Sequence, residues 1–142
     1  MPDVLFLCTG NSCRSQMAEG WVRHLVGERY QAFSAGLKPG IVHPLAIEVM
    51  REAGVDISGQ RSKEVATLLG RHFPYIITVC DGARDDCPIF PGPSIREHWP
   101  IEDPAIAQGS HEERLRVFRK VRDNVAARLL QFLASRTERS SS

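Results

Sequence analysis

Asp3-Val4-Leu5-Phe6-Leu7-Cys8-Thr9-Gly10-Asn11-Ser12-Cys13-Arg14-Ser15-Gln16-Met17 is the stretch whose reading decides the fold. Asp3 to Leu7 is a short apolar run of strand length, followed at once by a loop of Thr, Gly, Asn and Ser. From Ser15 the apolar residues recur at helical spacing, Met17, Trp21 and Leu25 with Val22 alongside, and Gly27 is a natural stop. A buried strand that turns through a polar loop into a helix is the opening of a parallel α/β unit.

The rest of the chain repeats that alternation. Tyr30 to Ala35 reads as a second strand ending at Gly36. Pro44 begins a helix carrying Ile47, Met50 and Ala53, closed by Gly54. The spacing predicts a weaker helix over Ser62 to Leu69, stopped by Gly70. Tyr75 to Val79 is a continuous run of the kind found in strands covered on both faces. A long loop with Pro88, Pro91 and Pro93 leads to a fourth strand near Ile95 to His98, and a further loop holds Asp103-Pro104. The last helix starts at Ser110, where Ser110 and Glu113 form a capping-box pair. It carries Leu115, Phe118, Val121, Val125, Leu129 and Phe132 on one face. The expected architecture is α/β: one domain over residues 1–136, an open parallel four-stranded sheet with helices on both faces, then a frayed polar tail from Thr137 to Ser142.

Composition narrows the function classes. A formal net charge of +1 gives no global electrostatic reason to bind nucleic acid or an anionic membrane. No apolar run approaches the roughly twenty residues of a membrane span, and the opening Val4 to Leu7 is too brief for a signal segment. A cytoplasmic monomer is therefore expected, with Cys8, Cys13, Cys80 and Cys87 kept reduced unless they act in catalysis. Their spacings do not fit a zinc site, and neither a metal nor an organic cofactor is expected.

In a parallel sheet the site lies at the carboxyl ends of the strands. The loop after the first strand, the segment from Cys80 and the loop holding Asp103 all arrive there. Thr9, Gly10, Asn11, Ser12, Cys13 and Arg14 can ring a tetrahedral oxyanion, with backbone N–H groups, a helix N-terminus and a guanidinium fork as donors. Those donors would also stabilise a thiolate at Cys8. A free cysteine near pKa 8.5 is about 3% ionised at neutral pH, so a drop to about 6 would give roughly thirty times more nucleophile. Ser15 can donate one more hydrogen bond to that sulfur, while Asn11 ties the loop together or takes a left-handed conformation beside Gly10. This is not a Walker loop, because the order G-x4-G-K-[ST] is missing. Taken singly, each residue has a plain structural reading. Cys8 and Cys80 could be buried hydrophobes, Asp103 a turn starter, Trp99 packing, His98 an ordinary surface or supporting residue, and no role requires Cys13.

Cys8 to Trp21, C-T-G-N-S-C-R-S-Q-M-A-E-G-W, resembles the signature of the thioredoxin-coupled arsenate reductases, which share the fold of low-molecular-weight protein tyrosine phosphatases. The resemblance continues through Ser34-Ala35-Gly36, Cys80 to Pro88, Glu97-His98-Trp99 and Asp103-Pro104-Ala105. It implies that Cys8 attacks arsenate, with Arg14 and Ser15 assisting and Asp103 donating a proton. A Cys8–Cys80 disulfide would follow, then a Cys80–Cys87 disulfide reduced by thioredoxin. Gly82, Arg84, Asp85 and Asp86 would form an exposed, mobile carrier segment. Some family members bind potassium through residues matching Asn11, Glu19 and Ser34. Here Arg61 and Lys63 replace the Thr and Asp that complete the site, so activity without potassium dependence is expected.

Two other functions use the same residues. A low-molecular-weight tyrosine phosphatase would employ Cys8, Arg14 and Asp103 on phosphate monoesters, but Ala105 and Ile106 stand where phosphatases usually carry substrate-gripping aromatics. It would also leave Cys80 and Cys87 without a task. An oxyanion sensor would need neither the proton donor nor the further thiols.

Overall fold

The computed structural model describes residues 1–141, with side chains described through residue 136. Eight elements follow in order: β1 (Asp3–Cys8), α1 (Arg14–Val26), β2 (Gln31–Gly36), α2 (Pro44–Glu52), β3 (Tyr75–Thr78), α3 (Asp81–Asp85), β4 (Ile95–His98) and α4 (His111–Ser141). Short 3-10 turns occur at Val65–Leu68 and Pro104–Ile106. The four strands form one sheet in the order β2-β1-β3-β4, every neighbouring pair parallel. The expected tail from Thr137 lies outside the residues whose side chains are described, α4 being assigned through Ser141.

β1 shows why the sheet is covered on both faces. Successive strand side chains point to opposite sides, yet Val4, Leu5, Phe6 and Leu7 are all 1% exposed or less. α1 packs on β1 and β2, α3 packs on β1 and β3, and α4 packs on α1 and α2. The face of α4 expected from its spacing is the one buried: Leu115, Phe118, Val121, Val125, Leu129 and Phe132 all join the core. Burying each such side chain is worth about 1.5–3 kcal/mol, which makes this face the main reason α4 stays docked. The capping box is present, with Glu113 N–H donating to Ser110 Oγ at 3.1 Å and Ser110 N–H donating to Glu113 Oε1 at 3.3 Å.

Several expectations are corrected. On α1 the buried face is Met17, Ala18, Val22 and Val26, and Leu25 is 42% exposed. β2 starts at Gln31 because Tyr30 N–H still bonds Val26 O at the end of α1. Ser62 to Leu69 is not a helix. Gly36 N–H bonds Lys63 O, Gly36 and Glu64 form an isolated bridge, and only Val65–Leu68 coils, as a 3-10 turn. The segment Asp81–Asp85, expected to be a mobile loop, is the short helix α3.

Register carries the functional consequence. Cys8 aligns with Gly36, Leu7 with Thr78, and Thr78 with His98. The ends of β1, β3 and β4 are thus level, and the segments that follow them meet over one edge of the sheet.

Candidate active site

The loop from Thr9 to Cys13 is held by buried polar contacts rather than by apolar packing. Asn11 has φ of +48°, the left-handed conformation, and is fully buried. Its Nδ2 donates to Ser15 Oγ at 2.8 Å, while its Oδ1 accepts from Lys63 N–H at 2.8 Å and Gln16 Nε2 at 2.9 Å. Gln16 Nε2 also lies 3.0 Å from Asn11 O and 2.9 Å from Arg61 O. Ser62 Oγ donates to Gly10 O at 3.0 Å, and His43 N–H donates to Ser12 O at 2.9 Å. Gln16, Ser62 and His43 were not singled out in the sequence. For Gln16 a signal existed, since a buried amide on the core-facing side of a helix needs partners.

The thiols meet across the strand ends. Cys80 Sγ accepts from Thr9 N–H at 3.2 Å and from Ala83 N–H at 3.4 Å, and Thr9 Oγ1 lies 3.3 Å from it. The neighbouring Cys8 thiol lowers Cys80 most, burial opposes it, and with the Thr9 and Ala83 donors Cys80 is held down to about 5. The same contact pushes Cys8 up, burial adds to that, and Arg14 and Gly10 N–H pull the other way. The expected single low-pKa sulfur is thus one of an interacting pair, in which the contact lowers Cys80 and raises Cys8. One proton is shared by two sulfurs, and the one with more donors keeps the negative charge. Cys13, 2% exposed, is pushed up to about 11 by burial, which fits a structural thiol. Cys87 lies beyond α3, half-buried, with Arg96 Nη1 3.0 Å from its sulfur and Pro88 O 3.6 Å away.

Arg14 begins α1 and reaches across the sheet edge. Its Nη1 donates to Ile101 O at 2.9 Å and Val79 O at 3.3 Å, and Nη2 is 3.9 Å from Asp103 Oδ2. Among the described residues, its buried Nε has no hydrogen-bond partner. Asp103 also does the structural task of a turn starter, accepting from Ala105 N–H at 3.0 Å to cap the Pro104–Ile106 turn. Ser15 Oγ accepts from Asn11, which leaves its hydroxyl proton free to donate. His98 Nδ1 is 2.8 Å from Thr78 Oγ1, and its Nε2 lies 3.2 Å from Asp81 Oδ1, close but not aligned for a hydrogen bond. Trp99 is 2% exposed and packs on Phe6 with ring centroids 5.7 Å apart.

Behind the loop, Glu19 is 2% exposed and accepts from Ser34 Oγ at 2.7 Å. Lys63 Nζ lies 3.5 Å from both Glu19 Oε1 and Ser34 Oγ and donates to Arg61 O at 2.6 Å. An ammonium group already sits where a potassium ion would take those oxygens, so the residues present do not fit a bound potassium.

A thiol pair, a guanidinium and a carboxylate converging beside a polar βα loop, on a β2-β1-β3-β4 parallel sheet, define a phosphatase-like thiol enzyme class. The chain matches the sequence profile of the low molecular weight phosphotyrosine protein phosphatases over residues 3–141 and belongs to that family. Within the family its curated relatives include arsenate reductases. That of Shouchella clausii (strain KSM-K16) is 44% identical over 129 residues, covering 91% of this chain and 93% of the relative. A solved arsenate reductase in its oxidized state matches with a TM-score of 0.82 and 36% identity, covering 95% of this chain and 98% of that one. A thioredoxin-dependent arsenate reductase of Corynebacterium glutamicum matches with a TM-score of 0.72 and 28% identity, over 95% of this chain and 61% of that chain.

Proposed function

We propose that this protein reduces arsenate to arsenite through Cys8, Cys80 and Cys87. The observation that carries the reading is that Cys8 and Cys80 leave the level ends of the paired strands β1 and β3, with Thr9 N–H, next to Cys8, bonded to the Cys80 sulfur at 3.2 Å. A hydrolytic phosphatase has no use for a low-pKa thiol beside its nucleophile. A reductase needs one.

Cys8 sulfur attacks arsenic(V), its proton passing to the incoming oxyanion, and the departing hydroxide takes a proton at Asp103. Arg14, whose unpartnered Nε faces no protein acceptor, supplies donors to the oxyanion. The Cys80 thiolate then attacks Cys8 sulfur. The S–S bond forms, the S–As bond breaks, and its electron pair leaves on arsenic as arsenite. Cys87 next attacks Cys80 and releases Cys8 as a thiolate, and an external dithiol returns the two electrons. Cys80 and Cys87 are seven positions apart across α3, about 10 Å if helical throughout, against the 4.4–6.8 Å Cα separation of a disulfide. We infer that the segment holding α3 rearranges for this exchange. Thioredoxin is the proposed donor, supported by the thioredoxin-dependent relative. A cytosolic setting would keep the thiols reduced. Among the described residues no helix is long and apolar enough to cross a membrane.

The test is an assay coupling arsenate to thioredoxin, thioredoxin reductase and NADPH, run on the wild type and three Cys→Ser variants. Cys8→Ser should lose arsenate turnover and any hydrolysis of small phosphate esters. Cys80→Ser and Cys87→Ser should lose arsenate turnover alone. Normal turnover by Cys87→Ser would overturn the relay, and ester hydrolysis without arsenate reduction in the wild type would favour the phosphatase reading.

A further inference from the structure

Arg96 was given no task by the sequence. It stands on β4, an edge strand, two residues before His98, so the two side chains share one face of the sheet. That face holds both ends of α3. His98 Nε2 lies 3.2 Å from Asp81, the first residue of the helix, and Arg96 Nη1 donates to Cys87 Sγ at 3.0 Å just past its last turn. The Cys87 thiol in turn points at Pro88 O, 3.6 Å away. A guanidinium bonded to a neutral sulfur gains little. The same bond becomes an ion pair, and stronger, once that sulfur is negative.

We infer that Arg96 is a catalytic residue of the second thiol exchange, pairing with Cys87 sulfur as it takes up negative charge for its attack on Cys80. The inference rests on the relay reading and adds to it a residue that readies the last nucleophile. The step balances without an outside reagent. Cys87 loses its proton to solvent, which its half-buried position allows, and its sulfur bonds to Cys80 sulfur. The Cys8–Cys80 bond breaks, and the electron pair leaves on Cys8, where Arg14 and Gly10 N–H receive the charge. The negative charge thus passes from a sulfur beside Arg96 to one beside Arg14, each with its own guanidinium. After the exchange Cys87 sulfur is neutral again, and its pairing with Arg96 weakens.

The experiment compares wild type, Arg96→Gln and Arg96→Lys, using the full reduced chain. Iodoacetamide labelling at pH 7 is followed cysteine by cysteine by mass spectrometry, with thermal unfolding as the check on folding. Arg96→Gln should label Cys87 about tenfold more slowly, the loss expected when a charged hydrogen-bond donor is removed. Cys80 labelling should stay within about twofold, because its donors are untouched, and Arg96→Lys should recover most of the Cys87 rate by restoring a cation. Unchanged or faster Cys87 labelling in Arg96→Gln would overturn the inference, as would a loss that Lys does not rescue. Failure of the relay reading is seen separately, as normal arsenate turnover in Cys87→Ser, whereas the labelling measurement requires no arsenate at all.

Discussion

Removing the Cys8 thiol should change the chemistry of Cys80, because the Cys8 hydrogen bond is the largest influence holding that thiol down to about 5. In the wild type the pair gives up one proton near pH 5 and holds the second above the ordinary thiol range. A sulfur of pKa 5 is about 99% ionised at pH 7, against about 3% for an ordinary thiol near 8.5, a gain of roughly thirtyfold. That gain is offset, because nucleophilicity falls with pKa at a Brønsted slope of about 0.45, or roughly fortyfold over 3.5 units. At pH 7 the two kinds of thiol should therefore alkylate at similar rates. At pH 5.5 they part company: Cys80 remains about three-quarters ionised and an ordinary thiol about 0.1%, so after the same correction Cys80 should react roughly twentyfold faster.

The assay is site-resolved iodoacetamide labelling from pH 4.5 to 8. The wild-type Cys80 profile should be flat above about pH 6 and fall through about 5. In Cys8→Ala the midpoint should move up, because the largest lowering influence on Cys80 is gone. It should stay below the ordinary value, since Thr9 N–H, Thr9 Oγ1 and Ala83 N–H remain. A wild-type midpoint near 8.5, or an identical profile in Cys8→Ala, would refute the shared-proton picture.

Two further outcomes follow from the packing around the loop. Arsenate turnover should be equal in sodium and potassium buffers, because Lys63 Nζ already lies 3.5 Å from Glu19 and Ser34, and a clear potassium stimulation would contradict that arrangement. Gly36→Ala should cost about 1–3 kcal/mol in chemical denaturation and weaken oxyanion binding, since an added Cβ would meet Thr9 O at 2.7 Å and Asn11 N at 2.9 Å, both backbone atoms of the loop. A stable Gly36→Ala protein with wild-type arsenate KM would show that the loop tolerates displacement.

What could be read from the sequence was whatever depended on neighbours along the chain. The switch from a strand-length apolar run to helical spacing across Cys8 to Arg14, and the 3-4 spacing on α4, are local patterns, and both are realised. α3 escaped because five residues make little more than one helical turn, too short for a period to show. Ser62 to Leu69 misled for the opposite reason. Its helical pattern is real, but Lys63 spends its N–H on Asn11 and its carbonyl on Gly36, and tertiary bonds outrank a weak propensity. The identity of the ionised sulfur was beyond reach in principle. It depends on Cys8 and Thr9, 72 and 71 positions away from Cys80 in the chain, and no reading of the loop alone includes that meeting.

The topology also explains why the two proposed exchanges differ in character. β1 and β3 are the central pair, and Val79 N–H bonds Leu7 O at 3.0 Å, so Cys8 and the residues just after β3 leave neighbouring parallel strands at the same level. Such strands lie about 4.8 Å apart, inside the Cα window that a disulfide accepts, so a Cys8–Cys80 bond asks little of the sheet. Cys87 is reached only through α3, a helix held at one end by His98 near Asp81 and at the other by Arg96 on the sulfur itself. The first bond therefore joins the ends of two central strands, and the second spans a helix of five residues. On the proposed relay, a phosphatase-like fold gains a reductive cycle from thiols that lie outside its oxyanion loop. Cys80, just after β3, would supply the electrons beside the nucleophile, and Cys87, half-buried just past α3, would pass the oxidation on to an external dithiol.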